Sequence, residues 1–212
     1  MSQNISLKEA ERKAFRSTFQ DGLWDIYLGL LLLNMGLGLM LGGTDVSMVW
    51  TAVILLAFAL LVMLAFWAGK KFVTAPRIGL VRFGPARKAK VKKISVILSL
   101  SVLVGVILLV IGQVVGNDLA EWVSWGWIIP AGVFGVNAIV VFSLGAYFLD
   151  FYRAYVYGWL YALAFPASIM LAEYADITFP FAYFVSAGIM VLIGGVLFLR
   201  FLRDYPIPAE VA

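Results

Sequence analysis

The chain has no cysteine and no histidine among its 212 residues. Their absence excludes disulfides, thiol redox chemistry, thiolate and imidazole metal sites, and a histidine general base. Charge is also scarce, at 13% Asp, Glu, Lys and Arg against about 25% in an ordinary soluble domain. Apolar residues take its place: 63% of the sequence is hydrophobic, where soluble domains hold roughly 45–50%. No stretch outside the apolar runs is long enough to build a core of its own. The first residues carry charges of both signs and lack a short apolar run ending in a small-residue cleavage site, so no removable signal peptide is expected. With Ser2 after Met1 and no cysteine, the common lipid anchors are not expected either. These features define one polytopic, all-α membrane domain without a soluble module.

Six apolar segments are expected to cross the bilayer: Gly22–Gly43, Met48–Ala68, Ile94–Val115, Gly126–Phe148, Tyr155–Ala172 and Phe181–Leu199. Each approaches the ~20 residues that cover ~30 Å of hydrocarbon at 1.5 Å per residue. The run from Gly126 to Ala172 is too long for one crossing and divides at Asp150 and Arg153, and Pro166 is a candidate kink in the fifth span. Threaded this way, the chain makes three helical hairpins with all 16 Lys and Arg residues on one side. The opposite side carries Asp45, Asp118, Glu121, Glu173 and Asp176. The positive-inside rule then puts both termini in the cytoplasm. Trp50, Trp122, Trp125 and Trp127 fall near one boundary and Trp24, Trp67 and Tyr147 near the other, as aromatic belts do. Ahead of the first span, Ser6 and Glu9 form a capping box, and residues 1–21 pattern as an amphipathic helix on the cytoplasmic surface. A 13-residue tail, 200–212, follows the last span.

Span one contains Gly22, Gly29, Gly36 and Gly43, one every seven residues. Such a spacing keeps the glycines on one slowly drifting stripe where another backbone can come close. Asp25, Leu32 and Leu39 border that stripe, so Asp25 should face protein or a cytoplasmic cavity, not lipid. A carboxylate within an apolar run is costly, which makes Asp25 the leading polar-site candidate, with Asp21 one turn earlier. Pairing with Arg16 or Arg153, or a position shallow enough to stay hydrated, is the simpler role. Two carboxylates are too few for a divalent-cation site, so neither a metal nor another cofactor is expected. Asn34, Gln113 and Asn137 lie deeper, where they line a solute pathway or, more simply, bond between helices. Span two has no glycine and is expected at the lipid-facing periphery. A weak repeat at an offset of 129 residues matches Phe19, Asp21, Gly29 and Leu31 with Phe148, Asp150, Gly158 and Leu160.

The loop Gly69–Lys93 holds nine basic residues and no acid. Pro76, Gly79, Gly84 and Pro85 predict an ordered turn or short extended piece, then a basic helical approach to span three. Arg77, Arg82, Arg87 and Lys88 are the candidate residues for anionic lipid or phosphate, beside the plain role of setting topology. The net charge of +4 is confined to membrane-flanking segments, so no nucleic-acid partner is expected. The Asp21-Gly-Leu-Trp-Asp-Ile-Tyr-Leu-Gly29 segment and the Pro76-Arg-Ile-Gly-Leu-Val81 loop together resemble an uncharacterised family of prokaryotic multi-spanning membrane proteins. The resemblance covers the first half of the chain. It implies a prokaryotic cytoplasmic membrane and transfers no catalytic residue.

Three functions are open to such a chain. The first is a non-catalytic protein contacting anionic lipid, a second copy or another membrane protein through its basic face. The second is a small solute or ion transporter with Asp25 near the pathway. The third is a lipid-headgroup enzyme using Asp21 or Asp25 as base and Arg77 or Arg82 on phosphate, although no dense acidic cluster or nucleophile motif supports catalysis.

Overall fold

The structure, a computed structural model, describes residues 19–78, 89–101, 103 and 128–206. All regular structure among them is helical. In chain order the elements are α1 (Leu23–Gly42), α2 (Met48–Ala68), a π-helical segment (Gly69–Thr74), α3 (Ala75–Ile78), a helix α4 over residues 89–101, α5 (Ile128–Leu149), α6 (Arg153–Ala175) and α7 (Phe181–Asp204). Five helices are long and apolar enough to cross a membrane: α1, the continuous run Met48–Ile78, Ala131–Leu149 in α5, α6 and α7. This is a multi-pass helical membrane protein. Residues 1–18 of the amphipathic helix expected over 1–21, most of the third span, and Gln113, Asp118 and Glu121 lie outside the described residues.

Two boundaries differ from the sequence expectation. Phe19–Gly22 form a turn and bend, so the surface helix does not extend to residue 21. Past Ala68 the chain stays helical to Ile78, where Pro76 had suggested a turn or extended piece. The widened register allows this, because Ala75 donates its N–H to the Lys70 carbonyl, five residues back. Pro76 follows directly on this widened turn.

Two compact units divide the chain, Met1–Phe83 with Met170–Ala212, and Gly84–Ile169. In the first, α1 packs on α7 over more of its length than on its sequence neighbour α2. Three of the four stripe glycines make that contact. A methyl added at Gly29 would lie 2.9 Å from Val191 Cγ2 and 3.1 Å from the Ala187 carbonyl oxygen, and one at Gly36 would lie 2.8 Å from Tyr183 Cβ. Gly22 takes φ of +78° and lies against the Gly194 carbonyl, so it needs glycine for both conformation and space. Gly43 follows the end of α1 and touches only its own turn. Helix α2 behaves as expected of a span without glycine: Val62 is its only buried residue.

The second unit repeats the device on a smaller scale. Gly158 of α6 sits where a methyl would meet Phe142 Cβ of α5 at 2.9 Å, and Gly135 faces Ala162. Phe142 and Tyr161 pack with ring centroids 4.7 Å apart. Asn137 on α5 donates to the Ser101 hydroxyl at 2.8 Å, an interhelical bond. The chain breaks at Asp150, which adopts φ of 54° while the Phe151 N–H returns to the Ala146 carbonyl at 3.0 Å. Asp176 closes α6 in the same left-handed conformation, φ 55°. Aspartate tolerates this region better than most side chains because its short polar group bonds locally. Helix α6 runs unbroken through Pro166.

Candidate functional site

The start of α1 buries two carboxylates, and each has a local reason to be there. Gly22 caps the helix, so Asp21 lies just before the first turn and Asp25 within it, at the end where exposed N–H groups favour negative charge. Both side chains are fully buried. Asp21 accepts the Leu23 N–H on Oδ1 at 3.2 Å. Its Oδ2 accepts two further bonds, from Lys70 Nζ and Thr74 Oγ1, each at 2.7 Å. Asp25 lies near enough to Lys70 to add to the attraction on its ammonium. A carboxylate taken out of water needs this saturation, since the Coulomb gain repays desolvation only when the remaining lone pairs are also satisfied.

The π segment makes the arrangement fit. Lys70 and Thr74 are spaced i, i+4 and both reach Asp21, while Gly69 lets the Leu23 side chain approach to 3.1 Å of where its Cβ would lie. Trp24 fills the space beside them, stacked on Phe19 at 5.6 Å and edge-on to Phe66 at 4.7 Å. Its indole N–H is buried and has no hydrogen-bond partner among the described residues, as is also true of Asn34 Oδ1.

The two consecutive lysines part ways. Lys70 is drawn inward, with one fifth of its side chain exposed. Lys71 is exposed and lies over the rings of Trp67, at 4.6 Å, and Phe72, at 5.3 Å. These rings meet edge to face at 6.2 Å and are themselves 54% and 65% exposed.

Arg77 is directed elsewhere. Its Nη1 donates to the carbonyls of Tyr205 at 2.8 Å and Leu202 at 3.3 Å, so it satisfies the last carbonyls of α7 at the negative end of that helix. Arg82, Arg87 and Lys88 lie outside the described residues, as does Arg16. Thus the structure joins Asp21 and Asp25 at one helix start and places Asn137 in an interhelical bond and Arg77 on a helix end. Lys70 and Thr74 were not singled out from sequence; the available signal was that Asp21 needs a cation and Lys70 is the first one after span two. Among the described residues no three His, Cys, Asp or Glu side chains converge as a metal site. No protein family, curated protein or solved structure matches the chain.

Proposed function

We propose that this chain is a six-span protein of a prokaryotic cytoplasmic membrane, with both termini cytoplasmic, whose non-catalytic role is to hold anionic lipid at its basic cytoplasmic face. One observation carries the reading: Gly69–Lys93 concentrates nine cations without an acid, and each basic residue near a charged leaflet contributes about 1 kcal/mol of attraction. The buried Asp21 neutralises only Lys70 of that set at salt-bridge distance among the described residues. Arg82, Arg87 and Lys88 supply charge toward lipid phosphate, and Arg77 anchors the start of the loop to α7. The same face suits a second copy or another membrane protein bearing acidic residues.

Native mass spectrometry of the protein extracted from its own membrane tests this. Retained anionic phospholipid should be lost when Arg82, Arg87 and Lys88 are changed together to Gln, with folding intact. Equal retention by that variant would refute the reading. The absence of cysteine allows topology to be checked with single introduced cysteines at positions 2, 45, 86 and 208, of which only 45 should label from outside.

Burial of Asp25 favours transport as the second reading. Asp25→Asn should then abolish cation or proton flux into proteoliposomes. Wild-type protein that gives no flux above empty liposomes removes that reading.

A further inference from the structure

We propose that Lys71, Trp67 and Phe72 form a discrete subsite for the phosphate of an anionic phospholipid in the adjoining leaflet. The inference rests on the lipid-holding reading above and assigns it a location outside the loop residues Arg82, Arg87 and Lys88. Its first support is the helical register. Trp67 and Phe72 are five residues apart and would point well apart on an α-helix. The π segment starts two residues after Trp67 and contains Phe72, and across this change of register the rings meet edge to face with Lys71 over both. The widened turn that brings Lys70 and Thr74 to Asp21 thus also carries Lys71 and Phe72 outward, beside Trp67 near the end of α2.

The second support is charge. Lys70 is consumed by a carboxylate at 2.7 Å, but among the described residues no carboxylate pairs with Lys71. Ring faces attract the ammonium through their quadrupoles and fix its position without neutralising it. An ammonium has three N–H donors, so this site retains capacity for an acceptor that brings negative charge. The third support is the surface below. Leu60, Leu64, Trp67 and Lys71 follow one another at i+4, i+3 and i+4, with Leu60 47% and Leu64 60% exposed. An acyl chain lying along this apolar ridge carries its phosphate up to Lys71, with the indole at headgroup level. A soluble phosphate has no use for the ridge, so the assigned ligand is the lipid.

The test is native mass spectrometry of the full chain titrated with phosphatidylglycerol and, separately, phosphatidylcholine. Lys71→Gln should weaken phosphatidylglycerol binding about fivefold, the equivalent of about 1 kcal/mol for one basic residue at a charged leaflet. Lys71→Arg should bind as the wild type does, and Trp67→Leu should weaken binding of both lipids. Because Lys71 is exposed, the thermal unfolding of Lys71→Gln should match the wild type, separating lost binding from lost fold. Unchanged binding by Lys71→Gln alongside loss in the Arg82, Arg87, Lys88 variant overturns this subsite and leaves the lipid-holding function standing. A wild type that does not prefer phosphatidylglycerol over phosphatidylcholine overturns both. Displacement of the lipid by inorganic phosphate at equal concentration overturns the lipid assignment.

Discussion

Helices α1 and α2 are consecutive, 20 and 21 residues long, and both apolar enough to cross a bilayer, yet they meet their surroundings in opposite ways. Helix α1 buries Asp25, Gly29, Leu32 and Gly36 along one face, whereas α2 buries Val62 alone. Their difference in hydropathy does not account for this, since in a membrane lipid is as apolar as leucine and gives no preference for protein neighbours. Small residues do. Where glycine recurs, a second backbone can approach and collect dispersion contacts over the whole length; where leucine and valine recur, it is held off. The lesson is that crossing and packing are written in different residues of the same span.

The contrast is most easily broken at its tightest point. Gly194→Val should destabilise the protein by about 3 kcal/mol, the upper end for overpacking, because the new side chain meets the backbone at Ile26 and Gly22. Gly195→Val, one residue away with nothing within 4 Å, should change stability by less than about 0.5 kcal/mol. Thermal unfolding in detergent micelles compares the two, and equal losses would mean that the seam has no special role.

Asp21→Asn comes next, with an expected loss of roughly 2 kcal/mol, below the 3–5 of a fully enclosed broken pair because Lys70 keeps some exposure. Adding Lys70→Met should restore part of it. A double-mutant cycle with no coupling would show that the pair is incidental to the fold. Arg77→Gln should cost about 1 kcal/mol and quicken hydrogen exchange over Phe201–Tyr205, where α7 loses its capping donor. Exchange unchanged there would rule out the cap. The smallest effect belongs to α2: Leu64→Ala, at an exposed site, should move the unfolding temperature in micelles by an amount equivalent to no more than about 0.5 kcal/mol. A larger shift would reveal a protein neighbour on the face assigned to lipid.

Much of this organisation was legible in the residues themselves. The positions of five spans, the division at Asp150, the sparse burial of α2 and the burial of Asp25 all follow from composition and spacing. The glycine stripe was also readable at Gly22, Gly29 and Gly36, but its partner was not, because a seven-residue repeat says that something comes close without saying which helix. The stripe fails at Gly43, since α1 ends at Gly42, and the bordering Leu39 is 44% exposed. The polar site was half legible. Asp21 and Asp25 stood out as acids in an apolar setting, whereas Lys70 and Thr74 looked like parts of a basic loop. Nothing in the letters Gly-Lys-Lys-Phe-Val-Thr announces a π turn, and the Asp21 that Lys70 and Thr74 both meet lies 49 and 53 residues before them in the chain. Arg77 likewise matched a phosphate-binding pattern, but local sequence does not reveal a helix end 125 residues away.

The pairing of the first span with the last also constrains how the protein is made. Gly29 rests on Met190, which leaves the ribosome 161 residues later. At about 5–20 residues per second, that is roughly ten to thirty seconds. Throughout this interval the glycine face of α1 lacks its partner, whereas both members of the Asp21–Lys70 pair are already synthesised. The ion pair needs nothing from α7, so it is available to hold α1 against the turn after α2 before the last helix closes the seam.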